Sequence, residues 1–211
     1  MSWVQYSNGF IGASQIAMYA GGAFVAYVLY SALTSQSGRA KQHFLFRHDT
    51  QGFMKSLKLS DKTAVFDGNN IYHFGMDKGA GRMVLQTLVR QLRSEGYRIV
   101  CFFDANIFFT LRESGEFLHM GSRFSLGMLK RIFDLNPYEI YIVPSGNQAD
   151  LFIVESLSHL PFSFAVTNDQ FRDYKSKYGF LAKDSDWRKG VRIKDRTIYL
   201  HQHSFKKPLT L

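Results

Sequence analysis

Short apolar runs alternate with stretches of helical period from residue 62 to residue 201. Lys62-Thr-Ala-Val-Phe-Asp67 is an apolar run ending in Asp-Gly, which predicts a buried strand and its exit turn. From Met83 to Glu95, residues Val84, Leu85, Leu88, Val89 and Leu92 share one face of a helix that Gly96 stops. Tyr97 to Phe103 predicts a second strand, Ser125 to Phe133 a helix, and Tyr138 to Val143 a third strand closed by Pro144. Ala149 to Leu160 then predicts a helix and Phe162 to Thr167 a fourth strand. Val191 to Lys194 and Thr197 to His201, split by Asp195-Arg196, predict a hairpin or two short strands. Strands alternating with helices imply parallel pairing through right-handed crossovers. The expected fold class is therefore α/β, a three-layer sandwich around a central, mostly parallel sheet. In such sheets ligands gather outside the carboxyl ends of the strands.

The first 38 residues follow another pattern. All 26 Lys+Arg and 17 Asp+Glu lie from Arg39 onward. Within the neutral stretch, residues 10–33 are almost wholly apolar, broken by three Gly and by Ser14, Gln15 and Ser31. As a helix this segment is ~36 Å long, enough for a hydrocarbon core of about 30 Å. It lacks the basic residues that precede the apolar run of a signal peptide. We therefore expect a 1–9 tail, one transmembrane helix over 10–33, a basic juxtamembrane linker over 34–60, a folded domain over 61–205 and a 206–211 tail. Arg39, Lys41 and Arg47 place the N-terminus outside and the folded domain on the cytoplasmic side. Ala13, Ala17 and Gly21, spaced four apart, offer a small-residue face for helix pairing and thus a homo-oligomer.

Charge and cysteine usage narrow the chemistry. A net charge of +9 points to an anionic partner. The single cysteine, Cys101, excludes an internal disulfide framework and a Cys-based zinc finger, and its apolar surroundings make it an inert core residue. No Gly-rich phosphate loop, Gly-x-Ser-x-Gly elbow or His-Glu-x-x-His is present.

Acids occupy the places where chemistry gathers. Asp67 closes the first strand, Asp150 opens the helix after the third, Asp169 follows the fourth, and Asp173 lies four residues later. A helix starting near Asn168 would put Asp169 and Asp173 on one face. Taken singly, each acid has an ordinary reading as a turn residue or helix cap. Together they make a cluster of mutually repelling carboxylates that needs a cation or shared protons. Mg²⁺ or Mn²⁺ suits an all-oxygen set, and a metal held there can activate water for displacement at phosphorus.

Three segments carry a resemblance: Val65-Phe-Asp-Gly-Asn-Asn-Ile71, Asn147-Gln-Ala-Asp-Leu-Phe-Ile-Val154 and Val166-Thr-Asn-Asp-Gln-Phe-Arg-Asp173. Their order and spacing resemble the NYN branch of the PIN-like nucleases, most of all the catalytic domain of the Regnase-type (CCCH zinc-finger) ribonucleases. The resemblance implies a PIN-like fold and metal-dependent RNA cleavage, with Asp67, Asp150, Asp169 and Asp173 as catalytic metal ligands. It places Asn70 as a site asparagine that orients a ligand, water or the scissile phosphate. Single-stranded RNA is the implied substrate. Two departures stand out. Ala149 occupies a position where that branch often has a second acid, which leaves open whether Asp104, after the second strand, supplies one. A zinc finger is lacking, and a membrane segment is present instead.

The remaining candidates concern the grip on a polyanion. Residues 187–207 carry seven Lys/Arg against Asp195 alone, with Trp187, Tyr199 or Phe205 available for base stacking. Arg172, Arg188, Lys189 and Arg192 are the proposed substrate contacts. Phe108 and Phe109 read as core rather than as a stacking platform, and His73 is unassigned. Two other readings stay open. One is a membrane-tethered RNA-binding module with weak or no catalysis. The other is a phosphatase with Asp67 as nucleophile, which the Asn at 69 disfavours.

Overall fold

The computed structural model describes residues 62–116, 124–160, 163–201, 203 and 206–208. The expected membrane helix over 10–33, its Ala13/Ala17/Gly21 face and the linker over 34–60 lie outside the described residues. Among the described residues, no helix is long and apolar enough to cross a membrane.

Strand β1, Thr63–Asp67, is buried along its whole length, as its unbroken apolar run demands of a central parallel strand. Helix α1, Gly68–Asp77, starts at once, where the Asp-Gly pair predicts only a turn. Its sequence is poor in helix formers. It holds because the Asp67 side chain caps its first turn and Ile71, Tyr72 and Gly75 are buried. Helix α2, Met83–Ser94, buries the five residues its periodicity predicts: Val84, Leu85, Leu88, Val89 and Leu92. Strand β2, Arg98–Phe103, follows. Helix α3, Ile107–Glu113, was not predicted; it is short and buries only Ile107 and Leu111.

Helix α4, Leu126–Phe133, ends at Asp134 in the left-handed conformation (φ 56°). A 3-10 turn, Pro137–Glu139, then leads into strand β3, Ile140–Ile142. Buried Glu139 accepts two hydrogen bonds from Arg93, at 3.1 and 2.7 Å, and so ties α2 to the start of β3. Helix α5, Ala149–Ser158, and strand β4, Phe164–Val166, complete the predicted alternation. Beyond it lie 3-10 turns at Arg172–Tyr174 and Gly179–Ala182, the short helix α6, Asp184–Trp187, and a two-residue strand β5, Arg188–Lys189. Strands β6, Val191–Lys194, and β7, Thr197–Leu200, form the expected hairpin. Lys206–Pro208, a tail in the sequence reading, forms β8 against β7.

The fold is α/β, with a five-stranded sheet in the order β3-β2-β1-β4-β5 flanked by helices. Every pairing in that sheet is parallel. Strands β6, β7 and β8 make a separate antiparallel sheet. Alternate residues of β1 and β2 face opposite ways. Ala64, Phe66, Ile99, Cys101 and Phe103 join the core built with α1 to α4, whereas Phe102 meets Phe152 of α5 at 6.1 Å. Val191, Ile198 and Leu200 belong to that same core. Cys101 is a free, fully buried thiol, as expected.

Gly68 is dictated by close approach. A Cβ there would lie 2.3 Å from the Phe103 ring and 2.8 Å from the Phe102 carbonyl oxygen. Only glycine lets α1 leave β1 directly beside β2, and this sets the spacing of the two strand exits.

Candidate active site

The strand order decides where the acids meet. Strands β2, β1 and β4 are neighbours running the same way, so their carboxyl ends open on one edge. Asp67 is the last residue of β1, Asp104 the first after β2, and Asp169 lies three residues after β4. Asp150 sits in the first turn of α5, and Asp173 in the 3-10 turn that follows Phe171.

Asp67 is 4% exposed. One of its oxygens accepts the Asn70 N–H at 3.1 Å and the other accepts the Thr167 hydroxyl at 3.0 Å. Burial pushes its carboxyl up to about 7, against the lowering effect of Asn70, and the charges of Asp150 and Asp104 add to the rise. Asp150 is pushed up to about 6, first by burial and then by Asp169, Asp104 and Asp173. Negative charge from distant segments is thus gathered at one place. Tyr174, which no sequence signal marked, also has its hydroxyl pushed up, by burial and then by Asp150 and Asp173. Among the described residues, none of the five acids is ion-paired with lysine, arginine or histidine. Arg172, which lies between Asp169 and Asp173 in the sequence, is exposed and donates to the Gln170 side chain at 2.9 Å.

Hydrogen-bonded amides hold the strand exits in place. Buried Asn69 accepts the Asp104 N–H at 3.0 Å and donates to the Asn106 side chain at 3.2 Å, fixing the exit of β2. Asn70 Oδ1 accepts the Asn168 N–H at 2.9 Å, fixing the exit of β4. Its observed contact is therefore with the protein's own backbone. Asn168 Oδ1 in turn accepts the Val191 N–H at 2.8 Å. Thr167 bridges two acids, donating to Asp67 while its oxygen accepts the Asp169 N–H at 3.0 Å. Asp104 Oδ1 accepts the Ala149 N–H at 2.8 Å, which seats this acid against the start of α5. Asn69, Thr167 and Asn168 escaped the sequence reading, since polar residues beside a strand end read equally well as turn formers.

Two expectations fail here. The helix predicted from Asn168 is absent. Asp169 Oδ1 accepts the Phe171 N–H at 2.7 Å, and Phe171 takes a left-handed conformation (φ 46°), so a tight turn stands in place of the helix between Asp169 and Asp173. Trp187 is unavailable for base stacking: it is 3% exposed and stacks on Phe171 at 5.5 Å.

Beside the acids, Asn168, Arg188, Gly190, Val191, Arg192 and His201 line a cleft of about 290 Å³. Lys189 pairs with Val166 across the sheet, and its ammonium lies 5.0 Å from the Phe164 ring centre with its pKa lowered by burial. Of the sequence-predicted substrate contacts, Arg188 and Arg192 share this cleft, while Arg172 and Lys189 lie outside its lining.

The architecture is shared with a solved ribonuclease P protein. The chain is similar to nuclear proteinaceous RNase P 2 (PRORP2) from A. thaliana, with a TM-score of 0.54 and 16% identity. The match covers 81% of this chain and 36% of the plant protein, so the chain spans about a third of that protein's length. At this identity the likeness establishes a common fold. No family model matches the chain, and no curated protein matches it significantly.

The residues present fit a hydrated divalent cation. Among the described residues, no three His, Cys, Asp or Glu side chains converge closely enough to chelate one ion. Mg²⁺ does not need such a cage, because it keeps several waters and takes one or two carboxylates. The donors are all carboxylate oxygens. Burial and mutual repulsion raise the proton affinity of Asp67 and Asp150, and the same excess of desolvated negative charge favours any cation.

Proposed function

We propose that this chain is a metal-dependent endoribonuclease that hydrolyses phosphodiester bonds in single-stranded RNA. The observation that carries the reading is the delivery of five acids to one sheet edge, without a basic partner among the described residues. What supports RNA as substrate is the resemblance of the three motifs to NYN-type ribonucleases, the fold shared with a protein named as a ribonuclease, and the net charge of +9.

In this reading Asp67, Asp150, Asp169 and Asp173 hold Mg²⁺ or Mn²⁺ directly or through water. When bound, the cation supplies an activated water and neutralises charge at phosphorus. The chain's own residues do the rest. Asn70, Asn69 and Thr167 hold the acids in register. Asp104, seated against Ala149, supplies an acid where the middle motif lacks one. Arg188 and Arg192 grip the phosphates that flank the cut. Residues 10–33 anchor the chain in a membrane, with the N-terminus outside and the catalytic domain facing the cytoplasm.

The test is cleavage of a single-stranded RNA in Mn²⁺ by the full chain and by its Asp150→Asn and Asp169→Asn variants. Wild-type cleavage that EDTA abolishes, and that each variant reduces by about ten- to a hundredfold, is expected. Equal cleavage by all three proteins overturns the reading. RNA binding without metal-dependent cleavage favours the tethered RNA-binding module instead, a reading that Ala149 motivates. For the anchor, the full chain is expected to resist alkaline extraction from membranes, whereas a chain starting at Arg39 is released.

A further inference from the structure

A second pocket flanks the acids on the side away from the basic cleft. It has a volume of about 400 Å³ and lies where β2 and β3 end, lined chiefly by Asp104, Asn106, Phe109, Gly146, Asn147 and Gln148. We infer that this pocket takes one unpaired nucleobase of the substrate strand, stacked on Phe109 and held by the side-chain amides. The inference rests on the ribonuclease reading and names the part of the substrate this flank recognises.

Phe109 is the first observation. The sequence reading placed it in the core, yet it is 51% exposed on α3, although Phe124 lies 5.6 Å and Arg112 5.5 Å from its ring centre. A large exposed aromatic surface beside a cleft is a stacking platform, and every base has a face to offer it.

Hydrogen-bonding capacity is the second. Asn69 donates to Asn106 Oδ1, which leaves the Asn106 amide nitrogen as a donor. Asn147 donates its own amide to the Pro144 carbonyl at 3.4 Å, which leaves Oδ1 as an acceptor. Gln148 is exposed and makes no capping bond with α5. Donors and acceptors side by side match the edge of a base. Gly146 sits at φ +85°, a conformation that disfavours any side chain there, so this wall stays open.

Charge decides against a phosphate in this pocket. Its charged wall is Asp104, which already bears on both Asp67 and Asp150. The neutral part of a nucleotide belongs here, and the anionic part belongs in the arginine-lined cleft on the other flank. A base within a duplex is stacked on both faces and cannot enter, so the strand must be unpaired.

The experiment uses the full chain in mild detergent with a fluorescein-labelled single-stranded RNA, together with a set in which one abasic residue is walked along the strand. At one fixed distance from the cut, loss of the base is expected to raise KM about tenfold, with the effect on kcat much smaller. Phe109→Ala is expected to give the same rise on intact RNA and to erase the difference between intact and abasic strands. Phe109→Trp is expected to restore it. An abasic effect that multiplies with Phe109→Ala, or a KM that neither change moves, overturns the inference. Should the chain cleave no RNA, the ribonuclease reading fails by itself. Anisotropy of the same strands with the wild-type and Phe109→Ala chains then decides the pocket: about tenfold weaker binding on base removal that Phe109→Ala erases sustains it, and equal binding, or a loss that Phe109→Ala leaves in place, overturns it.

Discussion

At the scale of the residue, Asp67 carries two conflicting demands. Its carboxylate caps α1 and bonds Thr167, yet burial raises its pKa from 3.8 to about 7. Between about pH 4 and pH 7 the folded state holds a proton that the unfolded state has lost. Stability from this group is therefore greatest at acid pH and falls as pH rises through that window. At 1.36 kcal/mol per unit, the full loss is on the order of 4 kcal/mol. Asn at this position accepts the Asn70 N–H and donates to Thr167 without ever carrying charge. Asp67→Asn is thus expected to melt higher than wild type at pH 8 in EDTA, with a smaller gain at pH 5, while cleaving no RNA. Thermal melts at the two pH values check this, and an equal gain at both would refute the burial argument. By the same linkage, if the proposed Mg²⁺ site exists, Mg²⁺ should raise the wild-type Tm more at pH 8 than at pH 5, because protons compete for it. Thr167→Val leaves both Asp67 and the Asp169 N–H short of a partner and should cost about 1–3 kcal/mol in denaturant unfolding.

Among the elements, α1 governs the geometry. Its first residue has no room for a side chain, so Gly68→Ala must push Phe103 and the β2 backbone aside. A loss of about 1–3 kcal/mol, read as a lower Tm, is the expected outcome, together with weaker activity because the Asp67 and Asp104 exits separate. The sequence disclosed the acids for a simple reason: an acid beside a buried apolar run is a local pattern, and the strand order brings such ends together. The start of α1 was hidden because Asp-Gly-Asn-Asn is as good a turn as a capped helix. A helix starting near Asn168 was the condition for placing Asp169 and Asp173 on one face, and the Asp169 side chain bonds its own backbone two residues on instead. The amide clamps were hidden more deeply. Asn69 meets the backbone of a residue 35 positions away and Asn70 one 98 positions away, and no local pattern records such partners. Phe109 misled because one exposed aromatic inside Ile107-Phe-Phe-Thr-Leu111 looks like its buried neighbours.

For the whole molecule, charge is divided by place. Acids sit at the exits of β1, β2 and β4 and at the start of α5, while Arg188 and Arg192 line the cleft that Asn168 shares with them. On the proposed ribonuclease reading, binding of RNA should weaken steeply with salt, and Arg192→Ala should lower the slope of log K against log salt by about 1 whatever the sequence bound. Titrations at several salt concentrations measure it, and an unchanged slope would remove Arg192 from the phosphate path. The hairpin that bears Arg192 is no detachable arm, since Val191, Ile198 and Leu200 close the same hydrophobic interior as β1 and β2. A premature stop codon after Trp187 would hence yield no shortened protein with a merely looser hold on a polyanion. It would leave a chain that aggregates or is degraded, so loss of the hairpin over residues 191–200 should act in a cell as a null allele.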